Sequence, residues 1–242
     1  MGRVYTEING NSKGIMSAIV SNLQAVKTRI AEAARAAGRL PEHIELLAVS
    51  KTWPLNCVLE AADAGQRAFG ENYVQEGVDK AIATVSRDLA WHFIGPLQSN
   101  KTRLVAEHFA WVHSIERLKI AQRLSAQRPP HLPTLQVCVQ VNVSGEASKS
   151  GCAPADALYL CQAIAGLPGL QLRGLMAIPE ALDDSAAQRA PFRQLRQIYE
   201  NIQAAGLPLD TLSMGMSHDL EAAIAEGATI VRIGTAIFGE RI

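Results

Sequence analysis

Apolar residues recur along this chain with two alternating periods. Ile15, Ile19, Leu23, Val26 and Ile30 fall at helical spacing, which predicts one amphipathic helix from Ser12 to Gly38. Ser12 can cap its start and Gly38 can close its end. From residue 45 onward, short apolar runs alternate with helical patterns. Strands are predicted over Glu45–Lys51, Arg67–Gly70, Trp91–Gly95, Trp111–Ile115, Gln136–Val143, Leu172–Ile178, Thr211–Gly215 and Thr229–Gly234. Helices are predicted over Leu55–Ala64, Tyr73–Thr84, Asn100–His108, Arg117–Ala126, Pro154–Ala165, Ala186–Ala205 and His218–Glu226.

Strand–helix alternation implies parallel strands with right-handed crossovers. Eight such units fit a single α/β domain, a (β/α)8 TIM barrel with an extra N-terminal helix. A doubly wound open sheet is the alternative, because the pattern does not show closure. The expected organisation is a tail over residues 1–12 and one barrel over residues 13–242. The Pro-rich piece RPPHLP at 128–133 reads as a loop before the fifth strand.

Composition narrows the function classes. Hydrophobic residues make up 48% of the 242, enough for a sizeable core. Lys plus Arg (23) balance Asp plus Glu (23), so a general nucleic-acid binder is not expected. No apolar run approaches the roughly 18 residues of a membrane span, and the N-terminus has no apolar signal core. A cytoplasmic protein is expected. Cys57, Cys138, Cys152 and Cys161 form no C-x-x-C pair and read as small buried hydrophobes.

Three features carry candidate chemistry. Lys51 closes the first strand before Pro54, at the strand end where barrel active sites are built. Alternation places Leu47, Val49 and Lys51 on one face. In an apolar mouth, burial lowers a lysine pKa, and the neutral amine is the form that makes a Schiff base with an aldehyde. A solvated strand-end lysine is the plainer reading. The second feature is a phosphate cradle from Ser213–Asp219 and from Arg232–Thr235, at the ends of strands seven and eight. There Gly215 permits close backbone approach and Ser217 is expected to cap the next helix. The third is Arg232, on the face of Ile230 and Gly234, a cation suited to a phosphate or a ring nitrogen. His92 and His113 lie in strands three and four and read first as satisfied core histidines. Asn72, after strand two, can reach a ligand ring.

Together the segments AVSKTWP (48–54), FGENYVQE (69–76), WHFIGPLQSNK (91–101), HSIERLKIA (113–121), VNVSGEASKSG (141–151), LRGLMAIPE (172–180), LSMGMSHDLEAAIAEGAT (212–229) and VRIGTAIFGER (231–241) resemble one family. It is the pyridoxal phosphate homeostasis proteins, and the resemblance runs in order with no missing block. The family is similar in fold to the barrel domain of alanine racemase, fold type III among proteins that use pyridoxal 5′-phosphate (PLP). The resemblance implies that Lys51 carries PLP as an aldimine and that Arg232 meets the pyridine nitrogen. It implies that Ser217, Gly234 and Thr235 hold the phosphate, with Asn72 near the ring. It also implies PLP storage and delivery to apo PLP-dependent enzymes, by a monomer with no catalytic turnover. A PLP-dependent amino-acid racemase is the alternative. It needs a base on each face of the cofactor, and the racemase's second domain, which supplies one, is expected to be absent. A PLP-free Schiff-base aldolase and a pure interaction module are weaker readings.

Overall fold

The computed structural model describes residues 12–145, 150–180 and 184–240, with only the backbone of residues 12–17, 185 and 186. Residues 1–11 of the expected tail, the Ile15 side chain, residues 146–149 of the fifth quoted segment and residue 241 of the last lie outside the described residues.

Eight parallel strands close into a barrel in chain order. They are β1 (Glu45–Val49), β2 (Ala68–Glu71), β3 (Ala90–Phe93), β4 (Trp111–Ile115), β5 (Leu135–Gln140), β6 (Leu170–Met176), β7 (Thr211–Ser213) and β8 (Ile230–Ile233). Closure comes from β8 pairing in parallel with β1, Leu47 opposite Arg232. The open-sheet alternative is thereby excluded. The helices are α1 (Ser12–Ala36), α2 (Leu55–Asp63), α3 (Val74–Ala83), α4 (Thr102–His108), α5 (Leu118–Gln127), α6 (Ala157–Ala165), α7 (Ser185–Ala204), α8 (Leu220–Ala225) and α9 (Thr235–Phe238). None of the described helices is long and apolar enough to cross a membrane.

The sheet sorts its side chains by the two-residue period. Ala48, Phe69, Phe93, Val112, Val231 and Ile233 face outward into the main core under the helices. Leu47, Val49, Ala68, Ile94 and Ile230 form a separate cluster inside the barrel. Met214 belongs to the outer core. All four cysteines are free and buried, as expected.

Several strands end two or three residues before their predicted ends, among them β5, β6 and β7. The first strand ends at Val49, two residues before the predicted end at Lys51. After β8 a four-residue helix, α9, follows where none was predicted. The outer layer at that point is filled by α1, which packs against α2, α8 and α9. Ile19, Leu23, Val26, Ile30 and Ala34 supply its buried face. The helix that precedes the barrel thus stands where an eighth crossover helix would.

Candidate functional site

Lys51 sits in the turn after β1, and the backbone on both sides of it is tethered. Ser50 Oγ donates to Glu71 Oε1 at 2.7 Å. Lys80, from α3, donates to the Ser50 carbonyl (2.8 Å), to Glu71 Oε1 (2.7 Å) and to Glu76 Oε1 (2.8 Å). The Thr52 amide donates to the same Glu76 oxygen at 2.6 Å. Thr52 has φ of +67°, the one positive value outside glycine among the described residues. A β-branched residue there is strained, and such strain persists only where surrounding contacts hold it. Lys80 and Glu71 are 6% and 0% exposed, so this is a buried ion pair under the turn that carries Lys51. Burial pushes the Glu71 carboxyl up, opposed by the Lys80 charge and its hydrogen bond.

Lys51, Asn72, Ser217, Arg232, Gly234 and Thr235 all line one cleft of about 180 Å³ at the C-terminal mouth of the barrel. Val49 and Ile94 form its apolar floor and Ile178 an apolar wall. A larger cavity of about 510 Å³ opens at the opposite end, beside Pro41, Glu45 and Gly65. Barrel chemistry is built at the C-terminal ends of the strands, so the smaller cleft is the candidate site.

Two loops shape one wall. Gly215 has φ of +95°, and a Cβ there would come within 2.5 Å of Ala223. Only glycine lets the chain after β7 turn this tightly onto α8. Ser217 does not cap α8, contrary to expectation. The helix begins at Leu220, and Asp219 accepts from the Met216 amide and closes the turn itself. The Ser217 side chain is thereby left on the cleft wall. On the other loop, Gly234 leads directly into α9, whose first residue is Thr235.

Arg232 enters the cleft from inside the barrel and is 3% exposed. It donates to the Ser213 carbonyl (2.6 Å), Ser213 Oγ (2.8 Å) and the Ala177 carbonyl (2.9 Å). Burial lowers its pKa to about 10, which leaves it a cation at neutral pH. Ser213 Oγ contacts His113 Nδ1 (2.8 Å), and His113 Nε2 contacts His92 Nδ1 (3.0 Å). A guanidinium can only donate, so Ser213 Oγ accepts from Arg232. The directions of the two histidine contacts follow the ring tautomers. His92 Nε2 ends the row, buried and without a partner among the described residues.

Both histidines are held neutral by burial, His92 at about 3 and His113 well below its usual value. Their native pKa values lie below the unfolded value of 6.5, so the unfolded chain takes up protons first as pH falls. Stability is full above pH 6.5 and is lost from there down toward about 3. The expected slope is at most about 1 kcal/mol per pH unit for each histidine. Thermal unfolding of the apo-protein between pH 7 and 5 should show this slope, and His92→Phe should roughly halve it. An unchanged slope in that variant would mean that the acid sensitivity lies elsewhere.

Asn72 Oδ1 is a further buried atom without a hydrogen-bond partner among the described residues, and Asn72 lines the cleft. A buried polar atom left open beside a cleft suits a ligand that supplies the missing group. The cleft thus combines an amine, a fixed cation, two hydroxyl-bearing loops and an open amide, a donor set that fits PLP. The sequence did not reveal Lys80 or Glu76 as parts of this site, nor the roles of Glu71 under the turn and of Ser213 as the acceptor for Arg232.

Residues 21–242 match the family model described as alanine racemase, N-terminal domain. The pyridoxal phosphate homeostasis protein of Pseudomonas aeruginosa is 62% identical over 226 residues, spanning 93% of this chain and 97% of its own. The chain belongs to the pyridoxal phosphate homeostasis protein family. The family member of Escherichia coli K12 is 55% identical, over 93% of this chain and 98% of its own. Another relative, PipY of Synechococcus elongatus, has been solved with PLP bound. It superposes on 91% of this chain and 100% of its own with a TM-score of 0.80 at 38% identity. These homeostasis proteins are named for maintaining a cofactor rather than for a catalysed reaction.

Proposed function

We propose that this protein binds PLP through a Schiff base with Lys51 and serves PLP homeostasis, releasing the cofactor to apo PLP-dependent enzymes. The observation that carries this is the convergence of Lys51, Arg232 and the two loops after β7 and β8 on one cleft. The bound PLP of the PipY structure supports it. PLP supplies an aldehyde that captures amines. The neutral amine of Lys51 adds to the aldehyde carbon and water leaves, which keeps the aldehyde from reacting at random. Ser217, Gly234 and Thr235 hold the phosphate, and Asn72 lies at the ring edge.

Arg232 faces the ring nitrogen. Its fixed charge opposes protonation there, so the ring draws electrons weakly. That suits a carrier, which must hold PLP without activating the α-carbon of each amine it meets. Another amine can displace Lys51 and so release the cofactor. On this reading the protein works as a monomer in the cytoplasm.

Borohydride reduction of the PLP-loaded protein, followed by peptide mass mapping, tests the assignment. The expected result is one PLP-derived mass on the peptide that contains Lys51. A tag on another lysine, or none, overturns it.

A further inference from the structure

The cleft loops are tied from outside by α1. Arg29 Nη1 donates to the Ser217 carbonyl at 2.8 Å. Its Nη2 donates to Glu221 Oε2 of α8 at 2.7 Å, and Nε to the other oxygen of that carboxylate. Two turns earlier on the helix, Asn22 Nδ2 donates to the Ile237 carbonyl of α9 at 3.1 Å. One helix thus grips the loop after β7 and the short helix after β8.

The peptide bond is planar and trans, so the carbonyl of one residue and the amide N–H of the next point in opposite directions. Arg29 draws the Ser217 carbonyl outward toward α1. The His218 N–H of the same peptide then points the other way, toward the cleft that Ser217 and His218 line. An exposed ion pair such as Arg29–Glu221 contributes little by itself. The carbonyl contact is the part with leverage, because it sets the rotation of a whole peptide plane.

We propose that Arg29 is a positioning residue that makes the cleft prefer the phosphorylated aldehyde. It holds the Ser217–His218 peptide so that the His218 N–H and the Ser217 hydroxyl face the phosphate together. This rests on the reading of the β7 and β8 loops as the phosphate site. Arg29 holds the loop after β7 and α8, whereas the turn that carries Lys51 is held by Lys80 and Glu76, so capture of the aldehyde does not depend on Arg29.

The test compares PLP with pyridoxal, the same aldehyde without phosphate. Dissociation constants for both are measured on the apo-protein by the absorbance of the lysine adduct, with ³¹P NMR of bound PLP as a second readout. Arg29→Gln should weaken PLP about 10-fold and shift the ³¹P signal, with pyridoxal held within about twofold. Arg29→Lys, which keeps a donor for the carbonyl, should retain most of the preference. Glu221→Gln, which breaks only the ion pair, should bind PLP like the parent protein. An unchanged PLP-to-pyridoxal ratio in Arg29→Gln overturns the proposal, as does an equal loss in Glu221→Gln. Ser217→Ala and Thr235→Val separate the two levels. If they collapse the ratio while Arg29→Gln does not, the phosphate site stands and the brace falls. If they leave it unchanged, the phosphate site falls and the brace with it.

Discussion

Replacing Lys51 with alanine should abolish the PLP absorbance band and leave nothing for borohydride to fix. The side chain supplies the only covalent link in the proposed complex. Its loss should weaken PLP binding by about two orders of magnitude or more, about 3 kcal/mol. Lys80 cannot stand in for it, since its ammonium already serves Glu71, Glu76 and the Ser50 carbonyl. The fold should survive, because Lys51 is half-buried and the turn around it is held by backbone and carboxylate contacts. The apo-variant should therefore unfold within a few degrees of the parent. A reducible adduct that persists in Lys51→Ala would remove Lys51 from the centre of the mechanism.

Lys80→Met should be the most damaging substitution to stability near the site. It strips the partner from a carboxylate that is 0% exposed and whose Oε2 already lacks a hydrogen bond. Breaking a buried pair from one side costs about 3–5 kcal/mol, which in a chain of this size lowers the melting temperature by about 10 °C. Removing both charges, as Glu71→Gln with Lys80→Met, should restore most of the loss, because no unpaired ion then remains. PLP capture should stay impaired in both variants. Without Lys80, Glu76 loses the group that holds it on the Thr52 amide, and the strained turn beyond Lys51 can relax. Thermal unfolding of the single and double variants, with PLP titrations, decides this. A single variant that loses less than about 0.5 kcal/mol would show the pair to be no more than surface chemistry.

The barrel was legible because its signal is local. Eight short apolar runs separated by helical periods lie in the residue order itself, and Lys51 stands where one of them stops. Where reading failed, the controlling contact was distant or the element too short. The helix α9 has four residues, barely one turn, too few for a repeating pattern to show. Asp219, not Ser217, takes the position before α8, and spacing alone does not rank the two. Lys80 reads in sequence as an ordinary i,i+4 partner of Glu76, and nothing local reveals the Ser50 carbonyl 30 positions away. Arg29 and Ser217 are 188 positions apart, beyond any periodicity.

The placement of α1 in the outer layer also sets an order of assembly. It is made before the strands, yet two of the surfaces it covers, α8 and α9, follow β7 and β8 and are made after them. Until then only α2 can cover part of its apolar stripe. The outer layer closes only when this early helix meets those later ones.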